Sequence, residues 1–292
     1  MVDFVLGFGG RTLTLGDSGD DVVALKDALD LLGITGGAED EPDVFGSGTD
    51  AAVREYQKGA QLYVTGQVDP MTRHVMEADI WGKKPIVAVD LSQHNRLRAA
   101  ENDWKEIERN TAFLILRCGV TRTATDPLGI GFDAEFEFAA GKCREFGIPY
   151  GVYYYGKVAT AAEGRQEADM CWDTASLHNP LFYVYDVEEP ILTNDVINAW
   201  VARIRERGAK KVGLYIGHHV YNKHRATVGA FDFVWIPRYG PNDGTFDPVF
   251  TPAYPCDLHQ YTSKGRLPGF RDTDVDLNRL TGTKPLKWFL TM

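Results

Sequence analysis

Cysteine is scarce in this chain of 292 residues, which has four. Cys118, Cys143, Cys171 and Cys256 are scattered, without the paired spacing of a disulfide framework, so reduced thiols are expected. No apolar run approaches the length of a membrane span, and membrane insertion is not expected. Basic side chains are outnumbered: 31 Lys and Arg stand against 41 Asp and Glu, a net charge of −10. That balance removes nucleic acid and anionic membranes as partners gathered by bulk charge. The H-E-x-x-H spacing of a zinc hydrolase is missing too. His218 and His219 are adjacent and tend to point apart, so no zinc site is expected from them with His224, His259 or Cys256. The opening MVDFVLGFGG has Asp3 where a secretory leader wants positive charge, and no long apolar stretch, so no signal peptide is expected.

What is present is unevenly spread. Residues 1–84 hold 15 acidic and 7 basic side chains, a net of −8, while the rest holds 26 and 24, a net of −2. The length suits two domains, and the two parts read as separate units. In the first, Leu13, Leu15, Val22, Val23, Leu25, Leu29 and Leu32 mark a helix that Asp20 or Asp21 can cap and Gly33 can end. A second helix follows Phe45-Gly46-Ser47-Gly48, with Thr49 as its expected cap; a third follows Asp69-Pro70. The runs LGDSGDDVVALKDALDLLGI, VFGSGTDAAVREYQ and VTGQVDPMTRHVM, in that order, resemble the peptidoglycan-binding domain type 1 family. Lys26 stands where that family usually has Gln, and Glu41-Pro42-Asp43 replaces its usual Asp-Gly. The resemblance implies that residues 1–80 form a three-helix domain that binds bacterial peptidoglycan; a spacer that binds nothing is the other reading. Trp81-Gly82-Lys83-Lys84-Pro85 is the expected junction, short enough for the domains to pack on each other.

From Pro85 to Met292 strand-like runs alternate with helical patterns. The runs are 86–89, 113–116, 150–155, 181–185, 212–216, 233–236, 258–261 and 275–277. Amphipathic stretches lie around 104–107, 136–146, 161–175 and 196–205, with a shorter one near 220–228; loop-like sequence separates the last three runs. The pattern predicts an α/β fold, an irregular (β/α) barrel with helices missing between its last strands. An open doubly wound sheet is the alternative, but Asp90-Leu91-Ser92-Gln93 is not the glycine-rich first turn it would want.

In such barrels chemistry sits at the C-terminal strand ends. Asp90 ends the first run, Asp186 and Glu188 the fourth, and Asp276 lies in the eighth. Asp186 and Glu188, two apart in extended chain, project to one face. Carboxyls crowded at apolar strand ends are costly unless used, and glycoside hydrolysis uses them. As caps or ion-pair partners they would be merely structural, a reading that weakens when all four are taken together.

The segments VDLSQHN, FGIPYGVYYY, YDVEE, VWIPRYGPNDG, HQYTS and VDLN, in this order and spacing, resemble glycoside hydrolase family 25, the muramidases common among phage endolysins. The resemblance implies a lysozyme hydrolysing the β-1,4 bond between N-acetylmuramic acid and N-acetylglucosamine. It implies Glu188 as proton donor, Asp186 as its partner at the substrate's N-acetyl group, and Asp90 and Asp276 as the first- and last-strand carboxylates. Tyr153, Tyr239 and Gln260 map to the sugar groove. No cofactor follows, and a monomer is expected, held in the host bacterial cytoplasm until something carries it to the wall. Two departures bear on the groove: Tyr153-Tyr154-Tyr155 where the family often has Tyr-His-Phe, and His259 where Trp often precedes the Gln. A chitinase-type barrel is disfavoured, because Phe182-Tyr183-Val184-Tyr185 lacks the longer acidic ladder before Asp186. A non-catalytic wall-binding or virion structural protein on the same barrel would be expected to have lost one of the four acids.

Overall fold

The structure, a computed structural model, describes residues 11–34, 37, 39–60, 62–80, 88–99, 101–121, 131–271, 273–281, 284 and 286–291. The expected junction at 81–85 lies outside the described residues. The chain divides into two compact units, Met1–Ile86 with Leu280–Phe289, and Val87–Arg279 with Leu290–Met292.

The first unit carries helices α1 (Asp20–Leu31), α2 (Ser47–Gly59) and α3 (Pro70–Ile80). Leu13, Val22, Leu25, Leu29, Phe45, Val53 and Met76 are fully buried and make its core. Two capping expectations change. Gly19, not an aspartate, precedes α1, and Asp21 is drawn off into an ion pair with Arg11 at 2.8 Å. At α2, which begins before Thr49, the carboxyl of Asp40 accepts from the Gly48 and Thr49 amides at 3.3 and 2.8 Å. A residue from the preceding loop thus satisfies the helix N-terminus. Asp69 does cap α3, accepting from the Thr72 amide at 2.7 Å, and Gly33 leaves α1 with φ +74°, which favours glycine.

In the second unit the described strands close into one eight-stranded barrel in sequence order. They are β1 (Ala88–Leu91), β2 (Phe113–Val120), β3 (Tyr150–Tyr155), β4 (Tyr183–Val187), β5 (Val212–Ile216), β6 (Phe233–Pro237), β7 (Leu258–Gly265) and β8 (Val275–Leu280). Helices α4 (Trp104–Asn110), α5 (Phe136–Phe146), α6 (Ala161–Ala175) and α7 (Asn194–Arg207) fill the first four connections; the short α8 (Tyr221–His224) and a 3-10 turn follow β5. Only a 3-10 turn, Pro248–Phe250, is described between β6 and β7, and no helix between β7 and β8. β1 to β7 pair in parallel, whereas β8 runs antiparallel to β1.

Alternation along the strands sorts side chains. On β4, Tyr183 and Tyr185 face the helices, stacking on Trp172 and Trp200 at 5.4 and 4.5 Å between ring centroids. Asp186, the next residue along, instead lines an interior cavity. Deeper in the barrel, Phe182 packs edge-on against Phe113 and Phe233. Gly151 and Gly213 admit those rings, since a Cβ would sit 2.1 Å from Phe182 and 2.2 Å from Phe233. An aromatic plug therefore fills one end of the barrel and leaves the other for polar groups.

Candidate active site

At the polar end lies a cavity of about 450 Å³. All seven residues singled out from the sequence line it: Asp90, Tyr153, Asp186, Glu188, Tyr239, Gln260 and Asp276. Asp90 and Asp276 are register partners across the β1–β8 seam. Because β8 is antiparallel, Asp276 reaches this end from the start of its strand, unlike the acids of β1 and β4. Asp186 sits inside β4, and Glu188 follows directly after it.

Asp90 is the best anchored of the four. Its Oδ1 accepts from Gln260 Nε2 at 2.9 Å and from Asn278 Nδ2 at 2.8 Å. Gln260 Oε1 in turn accepts from Tyr239 Oη at 2.6 Å and Tyr215 Oη at 2.9 Å. Asn278 Oδ1 accepts from Trp235 Nε1 at 2.7 Å. Burial, and then the neighbouring Asp276, push the Asp90 carboxyl well above the usual aspartate range. Asp276 is pushed up to about 6, chiefly by burial, with Glu188 adding to the rise and a hydrogen bond with Asp90 opposing it. Two buried carboxyls this close favour holding one proton between them.

Asp186 is treated differently. It is 5% exposed, and its Oδ1 is buried with no hydrogen-bond partner among the described residues. Burial lifts its pKa well above normal; Glu188 and Asp90 add to the rise, and Arg117 pulls against it. Glu188, half-buried, is raised first by burial; Glu189 reinforces the shift, while a Tyr155 hydrogen bond, His219 and Lys157 oppose it. The arrangement can therefore offer a protonated carboxyl at Glu188 beside further carboxyls able to bear on a developing positive charge.

Several lining residues escaped the sequence reading. Arg117 interrupts the apolar run of β2 and pairs through Nε with the buried Asp133 at 2.7 Å; its Nη2 is buried and has no partner among the described residues. A charge within so apolar a strand is a signal that could have found it. Tyr155, Tyr215 and Trp235 also line the cavity, but in sequence an aromatic facing a cavity looks like one facing a core. Of the two departures noted above, the first reaches the cavity through Tyr155, whereas Tyr154 and His259 do not line it. Tyr154 turns toward Thr121, with 3.0 Å between the hydroxyls. His259 is fully buried against Phe246 and Tyr261, its Nε2 2.8 Å from the Arg238 carbonyl, and burial lowers its pKa to about 4. Strand alternation turns both residues to the opposite face from Tyr153, Tyr155 and Gln260.

Residues 90–270 match the profile of glycosyl hydrolases family 25, and residues 18–76 that of a peptidoglycan binding domain. The chain belongs to glycosyl hydrolases family 25. A family 25 glycosyl hydrolase of Streptococcus pneumoniae, described as a virulence factor participating in host cell invasion, is 27% identical. That match covers 70% of this chain and 92% of the other, with a TM-score of 0.63. The catalytic domain of endolysin ply40 from bacteriophage P40 of Listeria monocytogenes is 24% identical over 67% of this chain and 92% of its own, with a TM-score of 0.58. The Clostridium perfringens spore cortex lytic enzyme SleM is 24% identical over 66% of each chain, with a TM-score of 0.52. At that identity the last two speak for the fold alone. No curated protein sequence matches. As a family 25 member with an upstream peptidoglycan-binding profile, the protein is a glycoside hydrolase and a peptidoglycan hydrolase. Among the described residues no helix is long and apolar enough to cross a membrane.

Proposed function

We propose that this family 25 hydrolase is a lysozyme of the endolysin type, cutting the β-1,4 bond between N-acetylmuramic acid and N-acetylglucosamine. The observation that carries this reading is the meeting of Asp186 and Glu188 from one strand end with Asp90 and Asp276 around a single cavity. Glu188, its pKa raised by burial, gives its proton to the glycosidic oxygen as the bond to the anomeric carbon breaks. Asp186 has a buried oxygen, unbonded among the described residues, that suits the N–H of the substrate's 2-acetamido group. That group's carbonyl oxygen then attacks the anomeric carbon, and water opens the resulting ring, with Glu188 taking the proton back. Asp90 and Asp276 stabilise the positive charge that develops. Tyr153, Tyr239 and Gln260 hold the sugar, Gln260 and Tyr239 doing so as one bonded unit.

In this reading residues 85–292 cut and residues 1–80 bind the wall, and the protein works as a monomer. A phage enzyme stored in the host cytoplasm until it is released to the wall fits the design. Mass spectrometry of fragments released from purified walls is the test. New reducing N-acetylmuramic acid ends are expected; cleaved amide bonds, or reducing N-acetylglucosamine ends, would refute the assignment. Retention at the anomeric carbon in product trapped early is expected from the substrate-assisted route, and inversion would replace it with direct attack by water.

A further inference from the structure

Among the described residues of 11–80, one aromatic ring stands exposed to solvent. Phe45 and Tyr56 are buried in the core of the helical unit, whereas Tyr63 is 92% exposed and the adjoining Val64 49%. The segment that presents them is firmly held. Gln57 of α2 has no exposed surface; its Oε1 accepts from the amides of Thr65 and Gly66, both at 2.9 Å. Its Nε2 reaches the Gln67 carbonyl at 2.8 Å, Thr72 Oγ1 at 3.0 Å and Thr65 Oγ1 at 3.1 Å. On the near side, the Leu62 amide bonds to the Gln57 carbonyl at 2.8 Å. Gly66 has φ +73° and lies against Asp50 and Arg54, whose ion pair is 2.7 Å long; a Cβ there would come within 2.2 Å of Asp50 Oδ1.

A ring left in water forgoes the stabilisation that burial would bring. Here it is forgone on a backbone fixed on both sides, which lowers the entropy lost when a ligand seats on it. Bulk charge gives this part of the chain no hold on anionic wall polymers, since residues 1–84 carry a net of −8. Its grip must come from apolar contact and hydrogen bonds.

We infer that Tyr63, with Val64 beside it, is a sugar-contacting platform, the ring stacking on the apolar face of a 2-acetamido hexose in the wall glycan. This rests on the reading above that the first unit binds peptidoglycan. The Tyr63 hydroxyl can exchange hydrogen bonds with sugar hydroxyls at the ring's edge, and Val64 can cover the acetamido methyl. Tyrosine suits the task because it supplies a large amphipathic face with few rotatable bonds to freeze.

Sedimentation with purified walls tests this in the full chain, using Glu188→Gln as the background so that the walls survive. Tyr63→Ser should weaken binding about tenfold, the scale of losing one well-placed aromatic contact, at an unchanged unfolding midpoint. Tyr63→Trp should restore it. Leu177→Ser removes an apolar side chain 84% exposed on the barrel unit and should leave binding as it was. The part of binding that Tyr63→Ser removes should be displaced by an N-acetylglucosamine tetrasaccharide and not by a stem peptide. Equal sedimentation of the background and its Tyr63→Ser variant, or displacement by the peptide alone, overturns the inference. A background chain that fails to sediment at all sinks the wall-binding reading, and this inference with it.

Discussion

Gln57 in the helical unit and Asp186 in the barrel are both polar and both withdrawn from water, yet the chain treats them oppositely. Both polar atoms of the Gln57 side chain are bonded, and the loop it gathers is fixed by it. Asp186 keeps a buried oxygen without a partner among the described residues, and burial, with other acids adding to it, lifts its pKa. A satisfied buried group stabilises the fold, while an unsatisfied one costs about 1–3 kcal/mol. The contrast sets a polar residue that builds the helical unit against one that lines the cavity.

The sharpest test is Glu188→Gln, which removes the transferable proton at nearly constant volume. A folded protein with wall lysis lowered by roughly two to four orders of magnitude is expected. Activity near that of the parent would take the donor role away from Glu188. Asp186→Asn should cost roughly a hundredfold or more in kcat, because a neutral amide cannot answer charge at the reacting centre. Its unfolding midpoint should hold or rise, since a strained buried carboxyl is gone. A marked fall in midpoint would mean that Asp186 builds the barrel rather than works in it.

Gln57→Leu should behave in the opposite way. It strands the Thr65 and Gly66 amides and should lower the stability of the helical unit by about 2–4 kcal/mol. Thermal unfolding should then show an earlier first transition, with hydrolysis of short soluble glycans unaffected. Coincident loss of that hydrolysis would break the comparison.

A smaller effect should follow pH. The folded Asp276 carboxyl titrates near 6, above the unfolded value of about 4, so the native state binds its proton more tightly. Stability from this group is full below about pH 4 and is lost as pH rises through about 6. The barrel's unfolding midpoint should fall across that window, and Asp276→Asn should flatten the slope. A parent profile with no such slope would remove the carboxyl pair from the account. Smallest of all should be Tyr154→Phe, which loses the hydroxyl's contacts with Thr121 and Met170 Sδ, about 1 kcal/mol, on the face turned from the cavity. A changed KM there would mean that the groove extends beyond the lining seen here.

Much of the site was legible because acids at the ends of apolar runs are rare enough to stand out. The caps of the helical unit were less so: Asp40 reaches the start of α2 from an intervening loop, and nothing in local spacing says that it will. Arg117 is legible as a charge in an apolar strand. Tyr215 and Trp235 were not readable as lining residues, since their burial is of the same kind as that of Tyr185 and Trp200.

By itself the sequence determined the period of each strand, and with it which residues of a strand share a face. That sufficed to put Asp186 and Glu188 together, and to turn Tyr154 and His259 away from Tyr153 and Gln260. Barrel closure decided the rest. Asp90 and Asp276 stand far apart in the chain and meet because β8 closes on β1 in antiparallel register. Reversal of that one strand brings the beginning of β8 to the end of the barrel where β1 and β4 finish. Periodicity is a property of neighbours in the chain; register across a closing seam depends on the packing of all eight strands together.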